Sequence, residues 1–568
     1  MSQHVVVIGA VALGPKAACR FKRLEPDSKV TMVDQSDLIS YGGCGIPYFV
    51  SGDVSDASQL QSTSFHMVRD AKFFKNVKDI NVLTNTKVRS IDRNKKTVTV
   101  KNIITGQEDD LSYDQLVLAT GSRPKRLPIP GVNLKGIFTV SNLNEAMAIK
   151  QGLAHGEVEK AVVIGAGAIG LEMAEAMADL WGIETTVIEV SDQILPGIIS
   201  PNMARMAQCH LEENDIIVRL DEKVQQFHGT DRVKRVTTDK GIIDTDMVIM
   251  AVGVAPNGDL AKAAGLEVSQ SGAIVVNDRM QTSDPYIYSG GDCVEIPNLL
   301  TGKPGYFPSG SLANRQGRVI GTNLAGGNAR FEGAVGTFII KAFEMSLASA
   351  GLSLGRAKAE GWDALSVFVS QFDRAHFYPE KGLMYMELIV DRKTEKVLGV
   401  QGLGGVTDAV FARVNAVAAI LKYGATVADI GNLELLYAPP FSAAMDIVNA
   451  LGNTAENVLR GKNKLIDVDQ FAQWWRDREG SDAVFLDCRG WGNAKPVSEK
   501  YPDDWKSIPQ DELKKRMDEV PRDKPVVLIC NTGVRSYEAQ LNLKQKGITN
   551  TYNLQGGMAT VKKWGLDL

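Results

Sequence analysis

The sequence predicts an α/β protein with two Rossmann-like domains, an α+β domain and a further α/β domain near the C-terminus. The first observation is a glycine-rich loop that follows an apolar strand twice, at Gly9–Gly14 and at Gly165–Gly170. The second is that each loop continues into a helix-like segment and a strand that ends in an acid, Asp34 or Glu189. Such a loop at a helix start suits a dinucleotide pyrophosphate, and the acid suits its ribose.

Length and composition limit the function classes. The 568 residues correspond to roughly four domains, and 44% hydrophobic residues are enough for several cores. A net charge of -4 offers no basic face, so we expect no nucleic-acid partner. We find no apolar run of roughly 18–20 residues and no cationic leader, so we expect neither a membrane span nor a signal peptide. The six cysteines are scattered without a CxxC pair, which favours a reducing cytoplasm and predicts no metal site.

The two glycine-rich loops differ in completeness. The first lies between the strand His4–Gly9 and the helix-like stretch Pro15–Leu24, and it keeps only the outer glycines of GxGxxG because Val11 holds the second place. A plain βαβ unit without a ligand is the alternative there. The second loop fits GxGxxG without exception. Glu189 is followed by Val190-Ser191, which supplies no cation for a 2′-phosphate, so we predict NADH over NADPH.

Three further apolar strands open into turns near these loops. They lead to Thr120-Gly121, to Gly253 and to Gly290-Gly291-Asp292. Asn314–Arg318 begins a helix after the last of them. Two dinucleotide folds in one chain imply one nucleotide that is held permanently and one that exchanges.

The stretch Ser40–Tyr48 carries a single thiol, Cys44, between glycines. Pro47 suits the first turn of a helix, which would place Cys44 at a helix N-terminus where an anion is favoured. This predicts a reactive thiolate, and the alternative is a small buried residue in a tight turn. Arg20 and Arg23 share one helix face and either form a solvated surface or bind an anionic group of a substrate.

Together these motifs carry a family resemblance. The segments Gly9–Gly14, Ala119-Thr120-Gly121, Gly165–Gly170 and Gly290-Gly291-Asp292 resemble the FAD/NAD(P)H pyridine nucleotide-disulfide oxidoreductases over residues 1 to about 460. Within that superfamily, Ser40–Tyr48 resembles the Cys-Gly-x-Pro-Tyr turn of coenzyme A disulfide reductases and NADH-dependent persulfide reductases. The disulfide reductases usually carry Asn before the cysteine, where this chain has glycine.

The resemblance implies FAD and NADH as cofactors and coenzyme A as a ligand. The residues implied for FAD are Gly9, Gly14, Asp34 and Asp292, and those for NADH are Gly165, Gly167, Gly170 and Glu189. Further implied cofactor-binding residues are Thr120, Gly121 and Gly253. Coenzyme A is implied near Arg20, Arg23, Ser40, Asn314 and Arg318.

Strands at 381–390 and 397–403, with a helix at 408–422, predict an antiparallel sheet covered by a helix. The resemblance identifies this region as a dimerisation domain and implies a homodimer. It also implies that Tyr378 and Tyr437 lie near the cysteine of the partner subunit. A phenol there can hydrogen-bond a thiolate or protonate a leaving sulfur. Interface packing is the alternative for both tyrosines.

The last domain contains a second candidate nucleophile. The strand Val526–Ile529 opens into Cys530–Ser536, where a thiol, a turn of N–H groups, Arg535 and a helix start form an anion nest. The loop resembles the active-site loop of rhodanese sulfurtransferases, and Asn553–Met558 supports this match. The resemblance implies a persulfide on Cys530, stabilised by Arg535. A phosphatase would have one more residue in this loop, and the remaining alternative is a buried structural thiol.

We expect the chain to divide into an FAD-binding domain (1–120 and 256–326), an NADH-binding domain (121–255), a dimerisation domain (327–451), a linker (452–463) and a rhodanese domain (464–568). Cys44 has no partner thiol at dithiol spacing, so we predict a reductase with a single redox-active cysteine. We expect it to reduce persulfide, polysulfide or coenzyme A persulfide with NADH. The alternatives are a coenzyme A disulfide reductase and an NADH oxidase or peroxidase that cycles through a sulfenic acid at Cys44.

Overall fold

The structure, a computed structural model, describes residues 3–568. The described chain forms two compact units. The first comprises residues up to 192 together with 215–334, and the second comprises 193–214 together with 335–568.

The first unit combines β-strand–helix–β-strand segments with runs of consecutive strands. Up to residue 192 the chain forms β1 (His4–Ile8), α1 (Leu13–Leu24), β2 (Lys29–Val33), α2 (Ile46–Ser51), α3 (Ala57–Gln61), α4 (Ala71–Lys78), β3 (Asn81–Leu83), β4 (Thr86–Asp92), β5 (Thr97–Asn102), β6 (Glu108–Ser112), β7 (Gln115–Leu118), β8 (Ser122–Pro124), β9 (Ile137–Phe138), α5 (Leu143–Ala154), β10 (Lys160–Ile164), α6 (Ala168–Ala178) and β11 (Glu184–Ile188). After α7 (Pro201–Glu213), which belongs to the second unit, follow β12 (Ile217–Arg219), β13 (Val224–His228), β14 (Arg235–Thr238), β15 (Gly241–Asp244), β16 (Met247–Met250), β17 (Val254–Pro256), α8 (Asp259–Ala263), β18 (Ile287–Ser289), β19 (Ile296–Pro297), β20 (Pro304–Gly305) and α9 (Gly310–Leu324).

The remainder of the second unit begins with a sheet and ends with a separate α/β fold. Its elements are β21 (Thr337–Ala342), β22 (Met345–Gly351), α10 (Leu354–Ala359), β23 (Ala364–Phe372), β24 (Leu383–Asp391), β25 (Val397–Gly405), α11 (Asp408–Leu421), α12 (Val427–Gly431), α13 (Ile447–Leu459), β26 (Leu465–Ile466), α14 (Val468–Arg476), β27 (Val484–Asp487), α15 (Trp491–Lys500), β28 (Trp505–Ser507), α16 (Gln510–Leu513), β29 (Val526–Ile529), α17 (Val534–Gln545), β30 (Thr551–Leu554) and α18 (Gly557–Lys563).

Two parallel sheets dominate the first unit. One has the strand order β18-β7-β1-β2-β3, and the other β12-β11-β10-β16-β9. The apolar residues of β1 and β10 are buried. The three-stranded meander β4–β6 shares the apolar core of the first sheet, and the meander β13–β15 shares that of the second. Each glycine-rich loop leaves the carboxyl end of a central strand where the strand order changes direction, which is the ligand crevice of such sheets. The prediction of two Rossmann-like domains is confirmed.

The second unit contains an antiparallel sheet with the order β21-β22-β25-β24-β23. Helix α11 packs on it, and the contact is close because β25 has glycines facing the helix. A Cβ built on Gly402 would lie 2.9 Å from Cγ1 of Val410, and one on Gly404 would lie 2.9 Å from its Cγ2. The α+β domain predicted here is therefore confirmed.

The last part of the chain is a parallel sheet with the order β26-β30-β29-β27-β28. Its strands β27 and β29 are apolar and buried, and the loop that follows β29 carries Cys530. Helix α17 begins four residues after this cysteine. The α/β domain predicted for this region is confirmed.

The expected linker at 452–463 is not an extended connection. Its first eight residues complete helix α13, which begins at Ile447. Gly452 is there for packing, since a Cβ on it would lie 2.3 Å from the backbone nitrogen of Gly431 in α12. The composition of this stretch suggested a linker. In the structure, Gly452 instead allows α12 and α13 to pack closely.

The boundary of the predicted NADH-binding domain also differs from the compact units. Residues 193–214, which lie within the expected range 121–255, belong to the second unit. Their helix α7 packs on β25, and the backbone N–H of Ser200 donates to Oε1 of Gln401 at 2.9 Å. Within residues 3–568, no helix combines the length and the apolar character required to cross a bilayer.

Candidate active site

Cys44 lies in a 3₁₀ turn, Gly43–Gly45, directly before α2, and Pro47 is in the first turn of that helix as predicted. The thiol is exposed. A second helix also starts beside it, because a Cβ built on Gly310, the first residue of α9, would lie 3.7 Å from Sγ of Cys44. The thiol therefore lies directly before α2, which has six residues, and beside the start of α9, which has fifteen.

The first glycine-rich loop has the shape that a dinucleotide requires. Gly9 has φ +105°, and a Cβ on it would lie 2.1 Å from the carbonyl oxygen of Ala119. A Cβ on Gly14 would lie 1.9 Å from the oxygen of Gly9. The Asp34 carboxylate accepts hydrogen bonds from the N–H groups of Ala10 (2.7 Å) and Ser36 (2.9 Å), and burial raises its pKa.

The second loop repeats this arrangement. A Cβ on Gly170 would lie 1.9 Å from the oxygen of Gly165, which has φ +99°. Gly167 has no atom within 4 Å of its would-be Cβ, so its outer side is open to a phosphate. Glu189 accepts the N–H groups of Ala166 (2.8 Å) and Ser191 (3.0 Å). Both loops therefore fit dinucleotides such as FAD and NADH.

Thr120 and Gly121 lie where the chain passes between the two Rossmann-like domains, at the antiparallel pair of β8 and β17. The Thr120 hydroxyl donates to the Asn257 carbonyl at 2.7 Å, and the Asn257 side chain donates to the Thr120 carbonyl at 2.9 Å. Gly253 has φ +91° and open space around its would-be Cβ. The sequence pattern did not identify Asn257 as a site residue, because its hydrogen-bond partner, Thr120, is distant in the sequence.

Asp292 follows the turn after β18, and its carboxylate accepts a hydrogen bond from the Ser122 hydroxyl at 3.4 Å. Burial raises the pKa of Asp292. The Tyr306 hydroxyl donates to the Asp292 carbonyl at 2.9 Å, and burial raises the pKa of Tyr306 to about 12. The phenol is therefore a fixed neutral donor at this turn.

The residues predicted for coenzyme A lie mainly on α1 and α9, which pack closely along the glycines of α9. Arg20 Nε donates to the Thr322 hydroxyl at 3.1 Å, so α1 presents it beside the helix that carries Arg318 and Asn314. Arg23 is exposed one turn later on α1.

Ser40 is placed differently from the other coenzyme A candidates. It is buried, and its N–H donates to the Ala10 carbonyl at 2.7 Å. Ser40 therefore adjoins the first glycine-rich loop. Contact of these residues with coenzyme A stays a prediction.

A cluster that the sequence did not reveal connects the cysteine helix to the second Rossmann-like domain. Tyr48 on α2 hydrogen-bonds Glu172 on α6, and Glu175 lies one turn further along α6. Burial and the Glu175 charge raise the pKa of Glu172 to about 7, while the Tyr48 hydrogen bond opposes this. Burial and the two glutamates raise the pKa of Tyr48 to about 12. The sequence shows that Glu172 closely follows the second glycine-rich loop. Its contact with Tyr48 could not be predicted, because it depends on tertiary packing.

Tyr378 and Tyr437 lie in two loops that contact each other. The N–H of Ala375 donates to the Pro439 carbonyl at 3.2 Å. Arg413 on α11 donates from Nη2 to the carbonyl of Asp373 at 3.1 Å and to that of Phe441 at 3.3 Å. The structure thus brings the two tyrosine loops together.

The Cys530 loop places two hydrogen-bond donors at the thiol sulfur. Cys530 Sγ accepts the Gly533 N–H at 3.1 Å and lies 3.2 Å from the Ser536 hydroxyl. That hydroxyl also lies 2.7 Å from Oδ1 of Asn553, whose Nδ2 donates to the Gly533 carbonyl at 3.1 Å. Ser536 and Asn553 stood within motifs that the sequence analysis quoted, but neither was given a role. Arg535 is partly exposed in the first turn of α17.

A buried ion pair supports the base of this loop. Arg489 donates to the Asp487 carboxylate at 2.7 Å, and Trp505 Nε1 donates to the same carboxylate at 3.0 Å. The carboxylate is completely buried, so removal of either donor would leave a costly charge. Burial raises the pKa of the neighbouring thiol, Cys488, which is consistent with a neutral packing residue.

The protein families that match the sequence are consistent with this geometry. Residues 3–310 match the pyridine nucleotide-disulphide oxidoreductase family, and residues 337–448 match its dimerisation domain. The chain belongs to this family. Residues 453–563 match the rhodanese-like domain, so the family fold is joined here to a sulfurtransferase-like domain.

Solved structures and curated relatives extend this result. A NAD-dependent persulfide reductase from A. fulgidus has 40% sequence identity and a TM-score of 0.92, with 98% of this chain and 99% of that chain covered. Reduced CoADR-RHD from Bacillus anthracis has 31% identity and a TM-score of 0.90, with coverage of 99% and 98%.

Two curated relatives are similar over the oxidoreductase part alone. An NAD(P)H coenzyme A polysulfide/persulfide reductase from Pyrococcus horikoshii is 34% identical over 446 residues, covering 78% of this chain and 97% of its own. An NADH oxidase from Methanocaldococcus jannaschii is 34% identical over 459 residues, covering 79% of this chain and all of its own. The two relatives that resemble the oxidoreductase part equally well therefore carry different activities.

Proposed function

We propose that the protein reduces persulfide sulfur with NADH, and that coenzyme A persulfide or polysulfide is the substrate. The observation that carries this proposal is the presence of two different sulfur sites in one chain. Cys44 is an exposed thiol beside the start of α9, and Cys530 accepts hydrogen bonds from the Gly533 N–H and the Ser536 hydroxyl. A coenzyme A disulfide contains no sulfane sulfur, so its reduction alone gives Cys530 no role.

The Cys530 site transfers sulfur without a change in the number of electrons. The thiolate attacks a terminal sulfur of polysulfide, a Cys530–S bond forms, and the polysulfide leaves one sulfur shorter. A thiol acceptor such as coenzyme A then attacks the outer sulfur, takes it as a persulfide and restores the thiolate. The Gly533 N–H stabilises the attacking and departing Cys530 sulfur, since a hydrogen bond to a charged sulfur is stronger than one to a neutral sulfur.

The Cys44 site consumes that persulfide. The thiolate attacks the inner sulfur of R–S–SH, forms a Cys44–S–S–R bond and releases HS⁻. Bound FAD supplies the two-electron chemistry that links NADH to this disulfide. Cleavage returns the Cys44 thiolate and RSH, so that R–S–SH and NADH give RSH, HS⁻ and NAD⁺. The start of α9 at Gly310 lies beside this sulfur.

The binding residues that we propose follow from the same geometry. Gly9, Gly14, Asp34 and Asp292 hold FAD, and Gly165, Gly167, Gly170 and Glu189 hold NADH. Thr120, Gly121 and Gly253 complete these sites where the domains join. Arg20, Arg23, Arg318 and Asn314 are the candidates for coenzyme A, because α1 and α9 present them side by side.

We further propose a homodimer. The second unit exposes Leu436 (96%), Phe441 (75%) and Phe377 (67%) around the tyrosine loops, which is an unusual concentration of apolar surface. In such a dimer Tyr378 and Tyr437 supply a hydroxyl to the sulfur chemistry of the partner subunit. All six cysteines are free, which favours a reducing compartment such as the cytoplasm.

Two cysteine variants test the proposal. We expect Cys44→Ser to abolish NADH oxidation with a preformed small persulfide, with polysulfide plus coenzyme A, and with coenzyme A disulfide. We expect Cys530→Ser to impair the polysulfide reaction and to leave the preformed persulfide unaffected. The measurement is NADH absorbance under anaerobic conditions, with Cys19→Ser as the thiol-removal control because Cys19 is half-buried on α1.

The alternatives give different outcomes in the same assay. Equal loss with both sulfur substrates in Cys530→Ser would contradict delivery through Cys530. Turnover of coenzyme A disulfide far above that of persulfide would identify a disulfide reductase. NADH consumption that requires only oxygen or peroxide would identify an oxidase or peroxidase with a Cys44 sulfenic acid.

A further inference from the structure

The sulfurtransferase loop is held from outside its own domain. Strand β23 is an edge of the dimerisation sheet, and edge strands carry unpaired backbone groups. The N–H of Phe368 in β23 donates to Oε1 of Gln555 at 2.7 Å, and the Ser370 hydroxyl donates to the Gly556 carbonyl at 2.8 Å. Ser370 and Gln555 are 3% and 8% exposed, so water does not replace these bonds when they are lost.

The Gly556–Gly557 turn is in contact with the Cys530 loop on its other side. A Cβ built on Gly557 would lie 2.3 Å from the Cys530 carbonyl oxygen, and the Met558 N–H donates to that oxygen at 2.8 Å. A Cβ built on Gly533 would lie 3.3 Å from the Gly556 nitrogen. The loop therefore has little room to move unless the turn moves with it.

The contact matters for chemistry because Gly533 is the residue whose N–H donates to Cys530 Sγ. Its position depends on the turn, and the turn is bound to β23. A continuous path of direct contacts thus runs from the dimerisation sheet to the reactive sulfur. Nothing in it requires Cys44 or the nucleotide sites.

We propose that Ser370 and Gln555 are positioning residues for sulfur transfer at Cys530. Through them, the sheet of the oxidoreductase part fixes the donor geometry of the sulfurtransferase part. The inference rests on the proposed function for its biological role. Its test uses thiosulfate and cyanide, which need neither NADH nor Cys44, so failure of the inference and failure of the proposed function are distinguishable.

In that test reaction, the Cys530 thiolate takes the sulfane sulfur of thiosulfate and releases sulfite. Cyanide then takes the sulfur, leaves as thiocyanate and restores the thiolate, so no oxidant or reductant is needed. In the full-length protein we expect Ser370→Ala and Gln555→Leu each to lower the rate of thiocyanate formation roughly fivefold, the effect of one lost hydrogen bond. Hydrogen–deuterium exchange of residues 530–537 should rise in both variants, because the Gly533 N–H loses its fixed position.

Matched variants separate positioning from general instability. Ser370→Thr keeps the hydroxyl and Gln555→Glu keeps an acceptor oxygen, so both should restore most of the rate. Tyr385→Phe removes another hydrogen bond between the same two domains, from the Tyr385 hydroxyl to the Ala559 carbonyl at 3.4 Å, and it should leave the rate unchanged. NADH oxidation with a small persulfide should be unaffected in all five variants.

Three results would overturn the proposal. One is a wild-type rate and wild-type exchange in Ser370→Ala and Gln555→Leu. Another is an equal loss in Tyr385→Phe, which would indicate docking in general. The third is a parallel loss of NADH oxidation, which would indicate unfolding.

Discussion

At the scale of single residues, each of the two candidate sulfurs lies close to the start of a helix. Cys44 lies beside the first residue of α9, and Cys530 accepts the Gly533 N–H at 3.1 Å. A backbone N–H does not titrate, so the Gly533 donor is retained at any pH at which the fold persists. By contrast, Glu172, which hydrogen-bonds Tyr48 on the helix that follows Cys44, changes its protonation near neutrality.

The protonation change of Glu172 is the one that can be tested most directly. Because burial and Glu175 raise its pKa to about 7, we expect Glu172 to carry a proton at pH 6 and to lose it by pH 8. Difference infrared spectroscopy between these pH values should show a protonated-carboxyl band that disappears on alkalinisation. Glu172→Gln should lack this band.

Tyr48→Phe provides the matched variant for that experiment. The Tyr48 hydrogen bond lowers the pKa of Glu172, so its removal should move the loss of the band to higher pH. An unchanged band in Glu172→Gln would show that another carboxyl is responsible. A shift to lower pH in Tyr48→Phe would contradict the assigned hydrogen bond.

At the scale of elements, strand β24 contains a buried acid that the sequence did not reveal. Glu387 is 5% exposed, and burial raises its pKa to about 6, while hydrogen bonds with Ser200 and Ser366 oppose this. Its Oε2 atom has no hydrogen-bond partner among residues 3–568. Since the folded pKa is raised, the stability that the protonated form contributes is complete below about pH 4.5 and is lost as the pH rises through about 6.

Glu387→Gln should remove this dependence. We expect the variant to gain stability over wild type by about 2 kcal/mol between pH 4.5 and 7, because an amide does not ionise. The measurement is the thermal unfolding midpoint across this range. Glu25→Gln, at an exposed position, should follow wild type at every pH, and a Glu387→Gln curve parallel to wild type would refute the assignment.

The elements also show which parts of the fold can be predicted from sequence. Strand β1 has the predicted residues almost without change, and β2 leads directly to Asp34 as predicted, because a buried parallel strand is a continuous apolar run bounded by glycine or an acid. Residues 452–463 were expected to be a linker, since Gly and Asn are typical of flexible segments. Their glycine serves helix packing, and composition alone does not distinguish the two uses.

The candidate site divides in the same way. Cys44, Cys530 and the glycines of both nucleotide loops follow from local motifs. The contacts of three other parts of the site, Gly310, the Tyr48–Glu172 pair and Ser370, join residues that are far apart in the chain. No periodicity or spacing in the sequence predicts these contacts. Sequence therefore predicts the reactive atoms better than the groups that position them.

At the scale of the whole molecule, the proposed homodimer gives a direct prediction. Leu436→Asp with Phe441→Asp should place charges in an apolar interface, so we expect a monomer in sedimentation equilibrium at concentrations where wild type is a dimer. NADH-dependent persulfide reduction should fall in parallel if the tyrosine loops act on the partner subunit. Thiosulfate–cyanide transfer at Cys530 should persist.

Phe65→Asp is the control for that double variant. Phe65 is 88% exposed and lies in the first unit, outside the dimerisation domain. This variant should remain dimeric and active. Dimers formed by the double variant as tightly as by wild type would place the interface elsewhere.

The path of the chain between its two units has a consequence for synthesis on the ribosome. Helix α7 lies in the middle of the chain, yet its Ser200 end binds Gln401 and the helix packs on β25, which ends at Gly405. At roughly 5–20 residues per second, β25 is translated on the order of 10–40 s after α7. The face of α7 that is buried in the folded protein stays uncovered during this time. During that interval Met203, Met206 and Leu211 of the nascent chain are exposed to solvent. We expect chaperones to bind the emerging polypeptide until β25 has been synthesised.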